Sequence, residues 1–357
     1  MRIALVSTPF VSVPPADYGG TELVVHELAE GLVDRRHDVV VFATGDSCSR
    51  AEVRACFSRA VWPPEHFTDL DHTAWAMHQI ARDGGFDIVH AHTAPALAWA
   101  RFLDPVPLVY TLHHERVREL SRYYAAHPEV HFVAISEDQH QREIPLPRMA
   151  VIRHGVEPRL YEWRARAHDY VCFIGRLAPV KGVHVAIDVA GAAGLEIRVA
   201  GSVHAEDAAW AARVLAPRLA RPYVHQLGRV GMAKKVPLLR DARALLAPID
   251  WEEPFGLVLV EAMLSGCPVV AFARGSVPEL VEPGVTGFVA HSAEEMAEII
   301  APGGPVEHFD RWRCRQRAAA RFNSGRMVDE YEELYERILS RRPATEDRGD
   351  QRRLHVA

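Results

Sequence analysis

Short, unbroken apolar runs alternate with stretches of helical periodicity along almost the whole chain, and that alternation decides its architecture. The first runs read IALVS, DVVVFA, DIVHAH, PLVYTL and HFVAIS, with ELVVHELAEGL after the first of them. Strands that are apolar on both faces must be covered on both faces, as in parallel sheets flanked by helices. In the first helical stretch Val24, Leu28 and Leu32 recur at spacing four and form the stripe that turns to the sheet. The fold class is therefore α/β.

The series then stops and restarts. A strand in MAVIRHGV ends at His154-Gly155, an arginine-rich polar stretch follows, and YVCFIG opens a second series: IRVAG, YVHQLG, ALLAPI, PVVAFA and GFVA. With 357 residues, 48% of them hydrophobic, the chain has length for two such cores. Two doubly wound domains are expected, at 1–157 and 165–322, with a ligand cleft between the carboxyl ends of their strands. Met327, Tyr331, Leu334 and Ile338 share one face of FNSGRMVDEYEELYERILS, which predicts a helix over 323–340 capped by Asn323 or Ser324 and packed back on the N-terminal domain. Residues 341–357 are charged and aperiodic and are expected to form a disordered tail.

Composition excludes several function classes. A formal charge of −6 lacks the basic excess of a nucleic-acid binder. The five cysteines (Cys48, Cys56, Cys172, Cys267, Cys314) show no C-x-x-C spacing, so neither a disulfide framework nor a zinc site is suggested. MRIALVSTPF reads as a buried strand rather than a leader, and no apolar run of membrane-spanning length occurs. A cytoplasmic location is expected. Asp69 and Asp71 in DLD read as carboxylates of a polar loop, and no metal is expected.

The richest stretch is WEEPFGLVLVE, residues 251–261. A helix entered at Pro254 would put Glu253 just outside its N-terminus and Glu261 two turns inside, roughly 12 Å away. That is too far for a glycosidase carboxylate pair, which stands about 5 to 9.5 Å apart. Between the carboxylates, the amides of Phe255, Gly256 and Leu257 would form a helix-start anion site. A ligand with hydroxyl-rich ends and a central diphosphate fits this layout. A dipole-complementing Glu253 and a solvated Glu261 fit the spacing equally well. In GRLAPVKG, Arg176 and Lys181 follow a buried strand five residues apart and suit a diphosphate. In YGGTE, Gly19 and Gly20 precede the first helix, where backbone amides can face a phosphate. A dinucleotide-binding G-x-G-x-x-G is absent from this position.

EPFGLVLVE, followed by AMLSGCPVVAFARGSVPELVEPGVTGFV, resembles the E-x7-E region of retaining GT-B glycosyltransferases of family 4. The likeness extends in order through YGGTELVVHELAEGL, DIVHAH, VAIS, VIRHGVE, FIGRLAPVKGV, RVAG and DEYEELYERIL. It implies two Rossmann-like domains and sugar transfer from a nucleoside diphosphate, UDP- or GDP-linked, to an acceptor hydroxyl without a metal. It assigns Arg176, Lys181 and Gly20 to the diphosphate, Glu261 to the ribose and Glu253 to the sugar. In YTLHHE it favours His113 over His114 as the histidine that meets the donor sugar. The acceptor, a small molecule, glycan or natural product, would lie against the loops at 11–18 and 115–124. Ser276 stands where a second glycine is common in RGSVPEL, and His154 where asparagine is common in VIRHGVE; the latter is expected at the cleft rim. A sugar-nucleotide epimerase would turn over donor without acceptor. A silent binding module would keep affinity without transfer.

Overall fold

The apolar runs form two all-parallel sheets in a structure, a computed structural model, that describes residues 1–17, 19–65 and 67–341. The first contains β1 (Arg2–Val6), β2 (Asp38–Ala43), β3 (Glu52–Ala55), β4 (Ile88–Ala91), β5 (Leu108–Thr111), β6 (His131–Ala134) and β7 (Met149–Val151). Its order is β3-β2-β1-β4-β5-β6-β7. The second contains β8 (Tyr170–Ile174), β9 (Glu196–Ala200), β10 (Val224–Gly228), β11 (Ala244–Ala247), β12 (Val269–Phe272) and β13 (Gly287–Ala290). Its order is β10-β9-β8-β11-β12-β13. Both orders reverse at the first strand of the sheet, which opens a crevice at the strand carboxyl ends.

Strand β1 illustrates why the runs are unbroken. Ile3 and Leu5 pack with Val24 and Leu28 of the Gly20–Asp34 helix, whereas Ala4 and Val6 pack with Met77 and Leu97 on the other face. The Ser324–Ser340 helix joins the first of these clusters through Met327, Tyr331 and Leu334. The preceding helix, Arg311–Phe322, buries Cys314, Ala318 and Phe322 in the core of the second sheet.

The chain therefore crosses between the domains twice, and the two crossings are bonded to each other. Val156 N–H donates to Phe322 O at 3.0 Å and Ser324 N–H to Val156 O at 3.1 Å. A Cβ on Gly155 would stand 2.3 Å from Asn323 O, so only glycine lets the strands approach this closely. Arg326 adds bonds to the carbonyls of Arg153 and His154, at 2.6 and 3.1 Å. From the first helix, Glu27 Oε1 accepts the Glu157 N–H at 3.1 Å.

Three local expectations are corrected and one alternative is resolved. Strand β3 is absent from the sequence reading because it is a half-exposed edge strand whose Glu52 and Arg54 form an ion pair. Strand β7 ends at Val151, three residues before His154. Asp69 and Asp71 lie in the first turn of the Thr68–Asp83 helix, not in a loop, where negative charge complements the dipole. The cap of the terminal helix is Asn323, whose Oδ1 accepts Arg326 N–H at 2.7 Å. The expected tail at 341–357 lies, apart from Arg341, outside the described residues. No helix among the described residues is long and apolar enough to cross a membrane.

Burial raises the Glu27 carboxyl to about 7, against the opposing bonds from Glu157 and Ser324. Its folded value exceeds its unfolded value of 4.5, so its effect on stability is absent below pH 4.5. As pH rises to 7 the unfolded chain gains by ionising first, and folding stability falls by about 3 kcal/mol. Glu27→Gln should remove this slope: in urea titrations its stability relative to the unsubstituted protein should climb between pH 4.5 and 7. A constant difference would refute the assignment.

Candidate donor site in the interdomain cleft

WEEPFGLVLVE folds as a loop followed by the helix Leu257–Leu264. Gly256 sits at φ 85°, in the left-handed region, and the helix begins after it rather than at Pro254. The helix start expected at Phe255, Gly256 and Leu257 is corrected accordingly. The Leu257 and Val258 N–H groups lead it, and Leu259 N–H already bonds Gly256 O at 2.9 Å. Phe255 is turned inward at 2% exposure, its carbonyl held by Ser276 Oγ at 2.7 Å. Glu261 is one turn inside the helix instead of two, and Glu253 stands in the loop, so a helical count no longer measures their separation.

Both carboxylates are buried, and each is met by a lysine. Glu253 Oε2 accepts from Lys181 Nζ at 2.5 Å and from Trp251 Nε1 at 2.9 Å. The same ammonium stands 4.2 Å from the centroid of the Trp251 ring. Glu261, 3% exposed, accepts from Lys235 Nζ and, at 2.9 Å, from the Tyr161 hydroxyl. A buried carboxylate without partners is costly, so these bonds hold both ends of the stretch in place. Lys181 closes a short turn after β8, before the helix Val183–Ala192. Arg176, on the same loop, donates to Glu206 Oε1 at 3.1 Å.

The opposite wall comes from the N-terminal domain. Gly19 precedes and Gly20 opens the Gly20–Asp34 helix, and a Cβ on Gly20 would lie 3.3 Å from Leu257 Cδ1. The starts of two helices thus lie against each other at the domain junction, each with N–H groups that can receive an anion. Beside them opens a cavity of about 690 Å³ lined by Glu115, Arg116, Arg142, Trp251, Glu252 and Pro254 among others. Glu252, unassigned by sequence, spans it: Oε2 accepts the Gly275 N–H at 2.7 Å and stands 3.0 Å from Arg142 Nη2 of the other domain.

The two histidines of YTLHHE part company. His114 turns into its own domain, with Nε2 bonded to the Tyr124 hydroxyl at 2.9 Å and Nδ1 to Glu115 O at 2.8 Å. His113 bonds His92, Nε2 to Nδ1, at 2.8 Å and stacks on His154 with 5.2 Å between centroids. His154 is 2% exposed and edge-on to Phe255 at 5.0 Å, so it belongs to the buried floor and not to the rim. Burial pushes His154 down to about 3, with Arg326 adding to it, and His90 to about 3, with His113 adding to it. Burial, reinforced by the neighbouring imidazoles, holds His92 and His113 well below the ordinary range. The tract is neutral at physiological pH.

Among the described residues no group of three or more His, Cys, Asp or Glu side chains is disposed to hold a metal ion. Sequence reasoning missed Tyr161, Lys235, Trp251 and Arg142. Trp251 adjoins the motif and was within reach, but Lys235 and Tyr161 are 26 and 100 residues from the Glu261 they hold.

Removing one partner of a buried pair strands the other. Lys235→Met should lower stability by about 3–5 kcal/mol in urea unfolding, and adding Glu261→Gln should recover most of it. A Lys235→Met protein as stable as the parent would show that the pair is not buried.

Comparison with known proteins is consistent along the chain. Residues 18–160 match the family model described as Glycosyltransferase Family 4, and residues 168–302 match that described as Glycosyl transferases group 1. A glycogen synthase of Mycobacterium tuberculosis is 28% identical over 84% of each chain. The D-inositol 3-phosphate glycosyltransferase of Mycolicibacterium smegmatis is 26% identical over 95% of this chain and 92% of its own. Among solved structures, AviGT4, a glycosyltransferase involved in avilamycin A biosynthesis, is 24% identical with a TM-score of 0.72, covering 95% of this chain and 98% of its own. Anabaena HepE in complex with UDP and glucose is 22% identical with a TM-score of 0.74, over 94% and 99%.

Proposed function

The chain belongs to glycosyltransferase family 4 and has the GT-B fold, and from that premise we propose that it is a retaining transferase moving a sugar from a nucleoside diphosphate to an acceptor hydroxyl. The observation that carries the reading is the Lys181–Glu253 pair against Trp251, with Arg176 on the same loop as Lys181 and the Gly20 and Leu257 helix starts in contact. Each cation is paired with a carboxylate, Arg176 with Glu206 and Lys181 with Glu253. An entering diphosphate takes over both cations and the Gly20 and Leu257 helix starts. Glu253 is then released to a hydroxyl of the donor sugar, and Glu261 meets the ribose. Charge growing on the diphosphate as the glycosidic bond breaks is met by Arg176 and Lys181. The departing diphosphate accepts the acceptor proton, and the acceptor attacks from the face the diphosphate leaves.

The acceptor side is the cavity beside Glu115, Arg116 and Trp251. UDP-glucose is the first donor to try, because HepE, which shares the fold, was solved with it. With cations and amides meeting the diphosphate, we take transfer to be metal-independent and the enzyme to work in the cytoplasm.

Thermal shift against UDP-, GDP- and dTDP-sugars identifies the donor, since a ligand bound only by the folded state raises stability. Lys181→Ala, although less stable, should then cut turnover by about 100-fold or more in the folded protein, and EDTA should leave the rate unchanged. Glu261→Gln should mainly weaken nucleotide binding and Glu253→Gln mainly transfer. The reverse pattern would exchange the two ends of the donor, and no shift with any nucleotide sugar would remove the donor site.

A further inference from the structure

We propose that His92 is a positioning residue that fixes the tautomer of His113, so that His113 presents an Nδ1–H, a hydrogen-bond donor, to the donor sugar. This rests on the proposed function for the role of His113, although the lock itself is a property of the free protein.

Two neutral imidazoles joined between His92 Nδ1 and His113 Nε2 share one proton across that contact. Its position is set by the far side of His92. The ring is 4% exposed, and its Nε2 is buried with no partner among the described residues. Were the His92 proton on Nε2, a donor would be sealed in the protein without an acceptor, and burying an unpaired N–H forfeits its full hydration. With the proton on Nδ1, His92 donates to His113 Nε2 and leaves only an unprotonated nitrogen buried. His113 must then carry its own proton on Nδ1, which has no hydrogen-bond partner among the described residues.

The surrounding residues hold this arrangement. His90, whose ring lies 4.3 Å from that of His92, is fully engaged by the Tyr335 hydroxyl at 2.7 Å and Thr111 Oγ1 at 2.8 Å, so it cannot serve His92. On the other side of His113 the ring of His154 stacks at an interplanar angle of 20°, and Phe255 backs His154. His113 is thereby fixed in plane by stacking and in tautomer by His92. Burial and the neighbouring imidazoles keep both rings neutral. The group offered to the sugar is thus a fixed neutral donor to a hydroxyl oxygen, not a proton shuttle.

Long-range proton–nitrogen NMR of histidine-labelled protein at neutral pH reads the tautomer without substrate. The expected spectrum has His113 protonated at Nδ1 in the parent and a mixture of tautomers in His92→Leu. His92→Asn, whose amide N–H can replace the Nδ1–H of His92, restores the parent signal. In kinetics with UDP-glucose, His92→Leu loses turnover by about tenfold or more while UDP alone binds as before, and His92→Asn recovers most of the loss. A structural role alone would weaken UDP binding as well and would not be rescued by asparagine. An Nε2–H His113 in the parent, or an unchanged His113 signal in His92→Leu, overturns the proposal. If the tautomer is as stated but the parent neither binds nor turns over any nucleotide sugar, the lock stands and the proposed function fails.

Discussion

The paired backbone bonds between Val156 and the Phe322–Ser324 segment fix how the two sheets stand, and the cleft depends on them. The chain leaves the first domain and returns to it at one place, with Gly155 packed on Asn323 so closely that a methyl group would not fit. Everything that crosses the cleft is placed from this point. The Gly20 and Leu257 helix starts meet, Glu252 reaches Arg142, and Glu279 accepts the backbone N–H groups of Glu137 and Asp138 and stands 3.0 Å from Arg153. Tyr161, a few residues past the crossing, carries the same constraint to Glu261. In the proposed function a nucleotide at Glu261 would therefore lie next to a residue of the interdomain connection.

Within that frame the site is built from buried carboxylates with obligatory partners. Glu253 and Glu261 tolerate burial only because Lys181 and Trp251 hold one, and Lys235 and Tyr161 hold the other. The first of these pairs is the one that a diphosphate exchanges in the proposed function, since Lys181 lies on the loop after β8. The second is more deeply buried, with side-chain exposures of 11% for Lys235 and 4% for Glu261, and both of its partners bond Glu261 Oε1, so in the proposed function it stays in place while the other oxygen meets the ribose. An exchangeable pair beside a fixed one suits a ligand whose charge sits between two polar ends.

Much of this was legible in the sequence, for identifiable reasons. Twelve of the thirteen strands were legible, most because a strand covered on both faces has to be apolar throughout, although the edge strand Val224–Gly228 is largely exposed; Glu52–Ala55, a charged edge strand, left no such trace. Arg176, Lys181, Glu253 and Glu261 stood out because their chemistry and spacing are local. The helix start was misread by three residues, Pro254 against Leu257, because the left-handed turn at Gly256 follows from packing that a linear pattern does not carry. Lys235 and Tyr161 were invisible because their meaning comes from long-range contacts. His154 was misjudged for the same reason: nothing beside it in sequence reveals the ring of His113 or Phe255.

The most direct test of this account is a crystal structure with UDP-glucose bound. The account predicts the ribose hydroxyls within hydrogen-bond distance of Glu261, and the diphosphate against Arg176, Lys181 and the Gly20 and Leu257 helix starts. Lys181 should have left Glu253, and the glucose should lie between Glu253 and His113. A nucleotide seated elsewhere, with the Lys181–Glu253 and Arg176–Glu206 pairs intact, would contradict it.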